Sequence, residues 1–168
     1  RVQQQLIDLL AAEDPGSTPA GLPGLGLLFG LRTTARNLFS GCVVRVAAGA
    51  VSSEVIVDIG GQDRLVAIVG RHDVEALRLA PAAPVLALVQ ATQVVLARPD
   101  AGLRASARNR LDGTVVRIGS GAVNAEVQLA LAGGKRLTAM LTMDSLQSLG
   151  LQPGEPCTAW IKASSIVL

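Results

Sequence analysis

Lysine, arginine and hydroxyl side chains are the groups with which a protein grips an oxyanion, and they gather unevenly in this 168-residue chain. Ser106 and Arg108 stand in Ser-Ala-Arg-Asn, Thr142 and Ser145 in Thr-Met-Asp-Ser, and Lys162 and Ser164 in Lys-Ala-Ser-Ser. Cationic groups give charge-assisted hydrogen bonds, hydroxyls donate one each, and backbone N–H groups can complete a shell around a tetrahedral anion. Ser145 reads as the start of a helix, where exposed N–H groups and the helix dipole add to that attraction. Each group also has a plainer reading: a solvated arginine at a strand entrance, a helix cap, a surface lysine. Nucleophile, base and orienting group do not recur together, and the single histidine, His72, leaves little for acid–base work near neutral pH. An enzyme is not expected.

The elements that must position these groups are duplicated. Ala35-Arg36-Asn37 recurs as Ala107-Arg108-Asn109, and the offset of 72 holds without a gap from residues 35–96 onto 107–168, with 24 of 62 aligned positions identical. Gly41/Gly113, Val43-Val44-Arg45/Val115-Val116-Arg117, Glu54-Val55/Glu126-Val127 and Pro81/Pro153 are among the matches. The chain therefore reads as two copies of one module, at 33–100 and 101–168, after a different segment at 1–32. A module of this size is marginal alone, so the copies should pack together or on another chain. The copies differ where a ligand would notice: Lys162 aligns with Gln90, Thr142 with Gly70 and Ser145 with Asp73. The second module carries seven basic against four acidic residues and the first six of each, so the formal net charge of +2 comes almost wholly from the second.

Within each module, Val43–Val46 and Val115–Ile118, then Glu54–Ile59 and Glu126–Leu131, read as strands. Gly61–Asp63 and Gly133–Lys135 supply hairpin turns into third strands at Leu65–Val69 and Leu137–Leu141. The leucine spacing predicts one short helix over 73–79 and over 144–151, the latter closed by Gly150. Val85–Val89 and Thr158–Ile161 restart strand, and Val94–Leu96 and Ile166–Leu168 are the last. Three strands, a helix and two strands give a mainly all-β chain: two tandem OB-like five-stranded barrels, each with one short helix. In the leading segment Val2, Leu6, Leu9 and Leu10 fall on one helical face, and Pro15–Pro19 ends that helix and opens a Gly/Pro linker.

Composition narrows the class further. Apolar residues at 49% with 17% charge suit a folded core, and two cysteines with one histidine supply neither a disulfide framework nor a Cys/His zinc cage. The uncharged stretch Leu79–Ala97 contains Pro81, Pro84, Gln90, Thr92 and Gln93 and fails as a membrane span. Phe29, Phe39 and Trp160 are too few aromatics for a base-stacking surface. Cys42 and Cys157 have no counterparts in the other copy and read as buried, inert thiols, and Trp160, aligned with Leu88, reads as core.

Ser106-Ala107-Arg108-Asn109, Gly113-Thr114-Val115-Val116, Gly121–Val127, Leu137-Thr138-Ala139 and Ile161–Ser165 together resemble the Mop, or TOBE-type, molybdate-binding module, and Thr34-Ala35-Arg36-Asn37 opens a looser match to the same family. A tandem pair is similar to small di-Mop proteins and to the sensing half of ModE-type regulators. The run Leu28–Asn37 after a Gln/Leu helix end resembles the linker of the latter, which follows a winged helix–turn–helix. The resemblance implies a cytoplasmic di-Mop module that senses molybdate or tungstate for a transcription regulator of molybdenum uptake, with no organic cofactor. It implies DNA contact only through a domain this chain does not include, no membrane, and a homo-oligomer, taken as a dimer, with ligand at inter-module interfaces. It assigns oxyanion binding to Ser106, Arg108, Lys162 and Ser164, with Thr142 and Ser145 from a neighbouring module and Thr34 and Arg36 as weaker counterparts in the first. A stand-alone molybdate buffer and an OB-type oligonucleotide-binding module are the alternatives.

Overall fold

A computed structural model describes residues 33–168, so the helix end and linker read from residues 1–32 lie outside the described residues. The first module contributes β1 (Asn37–Ala48), β2 (Ser52–Asp58), β3 (Arg64–Gly70), α1 (Arg71–Ala76), β4 (Pro84–Val89) and β5 (Val95–Ala97). The second contributes β6 (Asn109–Ser120), β7 (Asn124–Leu131), β8 (Arg136–Thr142), α2 (Met143–Leu149) and β9 (Pro156–Ile161). A short 3-10 turn follows β4 at Ala91–Gln93 and β9 at Ala163–Ser165. The element order is the one the periodicity predicts, save for the last strand of the second module.

Strict alternation explains the sheets. In β2 and β7 every second residue is buried, placing Val55, Val57, Val127 and Leu129 inside. Each fully buried Val or Leu stabilises the fold by about 1.5–3 kcal/mol relative to exposure. Both long strands carry a bulge at the same step, at Val44 in β1 and Val116 in β6, where the register shifts and the strand bends into a barrel wall. Gly41 and Gly113 stand in both copies because the neighbouring backbone comes too close for a side chain. A Cβ on Gly113 would lie 2.7 Å from the Ala130 carbonyl oxygen, and one on Gly41 would strike that of Asp58.

The pairing of the last strands departs from the sequence reading. β5 does not close its own module; it pairs antiparallel with β9, through Val95↔Trp160, Leu96↔Ala159 and Ala97↔Thr158. In return the C-terminal segment bridges to β4, with Val167 and Leu88 exchanging backbone hydrogen bonds of 2.8 and 3.1 Å. The sheets therefore run β3-β2-β1-β4 and β5-β9-β6-β7-β8. The predicted strand at 166–168 is reduced to that bridge, since only Val167 meets a partner. The buried apolar residues of both modules form one continuous cluster.

Polar contacts repeat the exchange crosswise. Asn37 is 2% exposed and mimics a strand: its Nδ2 donates to the Thr138 carbonyl at 2.8 Å and its Oδ1 accepts from the Thr138 N–H at 2.7 Å. Asn109 does the same to Val66, at 2.9 and 2.6 Å. Arg36 pairs with Glu126, and Arg108 with Glu54. Contacts that recur with the two copies interchanged define an approximate two-fold axis. On that axis a residue meets its own counterpart, as Asp63 meets Lys135. Lys135 Nζ donates to the carbonyls of Gly60 and Ala132 and stands 3.1 Å from Asp63 Oδ2, which charge attraction holds without a hydrogen bond.

The helices shift from their predicted spans. α1 covers residues 71–76 instead of 73–79, because Arg78 adopts a left-handed φ of 52° that ends it. α2 covers 143–149: the Thr142 hydroxyl caps it by accepting from the Ser145 N–H, and Gly150 terminates it at φ 57°. The copies differ systematically here. Gln62, Arg78 and Ala82 have φ of 69°, 52° and 70°, and their counterparts in the second module are Gly134, Gly150 and Gly154. The first module thus holds three side chains where the turn favours glycine.

Two stability changes follow. Asn37→Ala leaves the buried Thr138 N–H and carbonyl without partners and lowers unfolding free energy in urea by about 2–4 kcal/mol; a loss below about 0.5 kcal/mol would contradict the clasp. Ala82→Gly removes left-handed strain and raises stability by about 1 kcal/mol, whereas Gly154→Ala lowers it by a similar amount.

Candidate functional site

The exchange of last strands builds the site. Where β4 runs into its 3-10 turn, a cleft of about 330 Å³ opens between the modules, lined by Thr33, Ala35, Leu88, Gln90 and Gln93 of the first and Ser164, Ser165 and Val167 of the second. Gln90 is the residue that caps the turn at Ala91–Gln93, and Lys162 caps the matching turn at Ala163–Ser165. The two turns touch at the axis, where the Ser165 hydroxyl donates to Gln93 Oε1 at 3.1 Å. Under the 72-residue offset, Thr33, Ala35, Leu88, Gln90 and Ser164 correspond to Ala105, Ala107, Trp160, Lys162 and Thr92, which mark the matching place across the approximate axis. The first of these places presents neutral amides and hydroxyls; the second presents an ammonium group.

The predicted residues separate into three groups. Lys162 is exposed at the seam and Ser164 lines the first cleft, so these two lie on opposite sides of one inter-module junction. Ser106 and Thr34 are exposed at the two module entrances, Thr34 beside the cleft residue Thr33 and Ser106 at the matching position of the repeat. Arg108 and Arg36 stand at the same entrances but are engaged, Arg108 Nη1 at 2.9 Å from Glu54 Oε2 and Arg36 Nη2 at 2.5 Å from Glu126 Oε2. Both guanidiniums are more than half exposed, and such pairs contribute about 0.2–1 kcal/mol, little enough for an anion to compete for them.

Thr142 and Ser145 lie elsewhere within the chain. They form the N-terminal cap of α2, with Thr142 Oγ1 donating to Ser145 Oγ at 2.9 Å. Ser145 lines an open groove with Leu96, Asp144, Ser148 and Leu149, which shares no residue with the first cleft. Asp144 in that groove repels an anion. Arg98 closes its far end by donating to the carbonyls of Leu149 and Gly150 at 2.8 and 2.7 Å.

Sequence comparison overlooked Gln90, Gln93 and Ser165 as lining residues because it searched for charged donors. The sequence aligns Gln93 with Ser165, and only the fold shows that these two equivalent positions meet. The titratable groups with perturbed acidity stand back from the seam. The Gln152 backbone N–H and the Arg98 guanidinium hold the exposed Glu155 carboxyl below the usual carboxylate range. Burial pushes the Cys157 thiol up, despite its contact with the Ala97 carbonyl, which keeps it protonated and inert at neutral pH. Among the described residues, no group of three or more His, Cys, Asp and Glu side chains is placed to hold a bare metal ion.

Comparison with known proteins matches this architecture. The TOBE domain model covers residues 33–96 and again 105–168. The molybdenum transport protein ModE of Azotobacter vinelandii is 38% identical over 82% of this chain and 51% of its own length. The molybdenum-pterin-binding protein MopB of Rhodobacter capsulatus is 41% identical, with 82% and 51% covered. The chain thus spans about half the length of the curated relatives it matches. Among solved structures, the cytoplasmic molybdate-binding protein ModG with molybdate bound superposes with a TM-score of 0.79 at 45% identity, over 82% of this chain and 97% of ModG. Two matched domains, the shared fold and these identities place the chain, as a tandem pair, in the TOBE-domain family alongside ModG, ModE and the Mop proteins.

Proposed function

We propose that the chain binds molybdate or tungstate at the seam between its modules and serves as the sensing part of a ModE-type regulator of molybdenum uptake. The supporting observation is Lys162, an exposed ammonium group at the turn where the modules exchange strands, facing the role that Gln90 fills in the other copy. A dianion with four oxygens satisfies one ammonium and several short-range hydroxyl and amide donors at once. Ser106 and Arg108 complete that shell from the module entrance, where Asn109 pairs with Ile161 next to Lys162, with Arg108 released from Glu54 when the ligand arrives, while Ser164 lines the first cleft. Thr142 and Ser145 join only if a second chain brings its α2 cap to the seam.

Self-association, most simply as a dimer, is supported by apolar residues exposed at the same positions of both modules: Val44 and Val116, Val51 and Val123, Ile68 and Met140, Val95 and Val167. A ligand that bridges such an interface favours the assembled arrangement by its difference in affinity, and coupling of about 1–3 kcal/mol is ordinary. A winged helix–turn–helix outside this chain would convert that shift into DNA binding in the cytoplasm. A stand-alone buffering role has its own support, because the match to ModG covers 97% of that protein. No helix among the described residues is long and apolar enough to cross a membrane.

Calorimetric titration with molybdate, tungstate and sulfate tests the reading. Lys162→Ala weakens molybdate binding at least tenfold, the loss of one charge-assisted contact worth about 1.5–3 kcal/mol, while Gln90→Ala changes it less than threefold. Equal losses from the two variants would move the principal site to the first module.

A further inference from the structure

Trp160 is the one tryptophan of the chain, and its indole nitrogen is buried without a hydrogen-bond partner. Its backbone pairs with Arg110 in β6 and Val95 in β5. The Arg110 guanidinium lies 5.7 Å from the ring centroid, and Arg110 Nε reaches Asp112 Oδ1 at 3.3 Å, which also accepts from the Thr158 hydroxyl at 2.6 Å. None of these acceptors serves the indole N–H. A donor cut off from water and left unpaired is destabilising, and a ligand oxygen is one of the acceptors that can satisfy it.

The two-fold relation says where that acceptor would come from. Trp160 is the counterpart of Leu88, and Leu88 lines the cleft beside Gln90. Trp160 and Lys162 are two residues apart at the end of one strand, with the core residue Ile161 between them, so their side chains leave the strand on the same side. The first module has neither donor: Leu88 and Gln90 stand in their places, and Leu38 stands in place of Arg110. The second module therefore carries a cation and an N–H donor together, where the first carries an aliphatic side chain and an amide.

We propose that the Trp160 indole N–H donates to an oxygen of the tetrahedral oxyanion held by Lys162, making Trp160 a ligand-binding residue of the second cleft. This rests on the oxyanion reading above. The indole contributes a fixed, uncharged donor with an apolar ring behind it, and the ring keeps water from competing for the anion. A tetrahedral dianion gains a directed contact there, which a planar or monoanionic species fits less well. The same contact couples the ring electronically to occupancy of the cleft, so the emission of the sole tryptophan reports it.

Molybdate titrations of the full chain, followed in parallel by calorimetry and by tryptophan emission, test this together with Trp160→Phe. The phenyl ring keeps an aromatic face beneath Arg110 and removes the N–H together with the five-membered ring that carries it. In the original protein the emission changes saturably with the same midpoint as the heat. In Trp160→Phe the dissociation constant rises roughly tenfold, as for loss of one hydrogen bond to a charged group. Unchanged affinity in Trp160→Phe, or emission that stays flat while calorimetry records saturation, overturns the assignment and leaves the oxyanion reading standing. Absence of any heat with the original protein removes the oxyanion reading, and this assignment with it.

Discussion

Each module gives its last strand to the other, and nearly every other feature depends on that exchange. β5 completes the sheet of the second module, and the C-terminal segment lies along β4 of the first. At this size each module by itself is marginal. The exchange joins two marginal cores into one cluster, and Asn37 and Asn109 fasten the entrances by acting as an extra strand edge on the opposite module. The cleft at the seam is a by-product of this geometry. It exists because two turns, one from each copy, approach across the axis with polar ends exposed.

Carrying both modules in one chain changes what the axis can hold. In a pair of identical modules, a residue on a two-fold axis meets itself, so a charge there meets a like charge. Here Asp63 meets Lys135 and Gln93 meets Ser165. The opposite charges favour this pairing over one between two first modules or two second modules, where two carboxylates or two ammonium groups would be brought together. The same freedom separates the two sides of the seam, with Gln90 and Leu88 on one and Lys162 and Trp160 on the other. The backbone strain is divided as well, with left-handed side chains in the first module and glycines in the second.

Much of this was legible in the sequence, for identifiable reasons. Period-two alternation in β2 and β7 and the duplicated glycines fixed the strand order, and Gly150 marked the end of α2. The helix in the first module slipped because Arg78 terminates it in a conformation that its residue type does not advertise. The strand exchange could not be read, since both copies present nearly the same strand edges and pattern alone does not say which copy receives Val95–Ala97. For the site, the comparison of Lys162 with Gln90 pointed to the seam, because aligned repeats expose where one copy has changed. Arg108 was recognisable as a cation but not as the partner of Glu54, which lies 54 positions away. Thr142 and Ser145, expected as oxyanion donors from a neighbouring module, also form a helix cap, and their distance from the seam within one chain was hidden because it depends on how the barrels dock. Trp160 was read as plain core, a reading that its residue type invites and its unpaired nitrogen revises.

The central claim is that a doubly negative tetrahedral anion is held at the junction of the two modules by the second copy's cation. A crystal grown with tungstate and measured at the tungsten absorption edge locates the anion without reference to any assumed ligand set. The account predicts an anomalous peak within hydrogen-bonding distance of Lys162 Nζ, beside the turn at Ala163–Ser165. A peak confined to the α2 cap, or an empty seam with Lys162 extended into solvent, would contradict it.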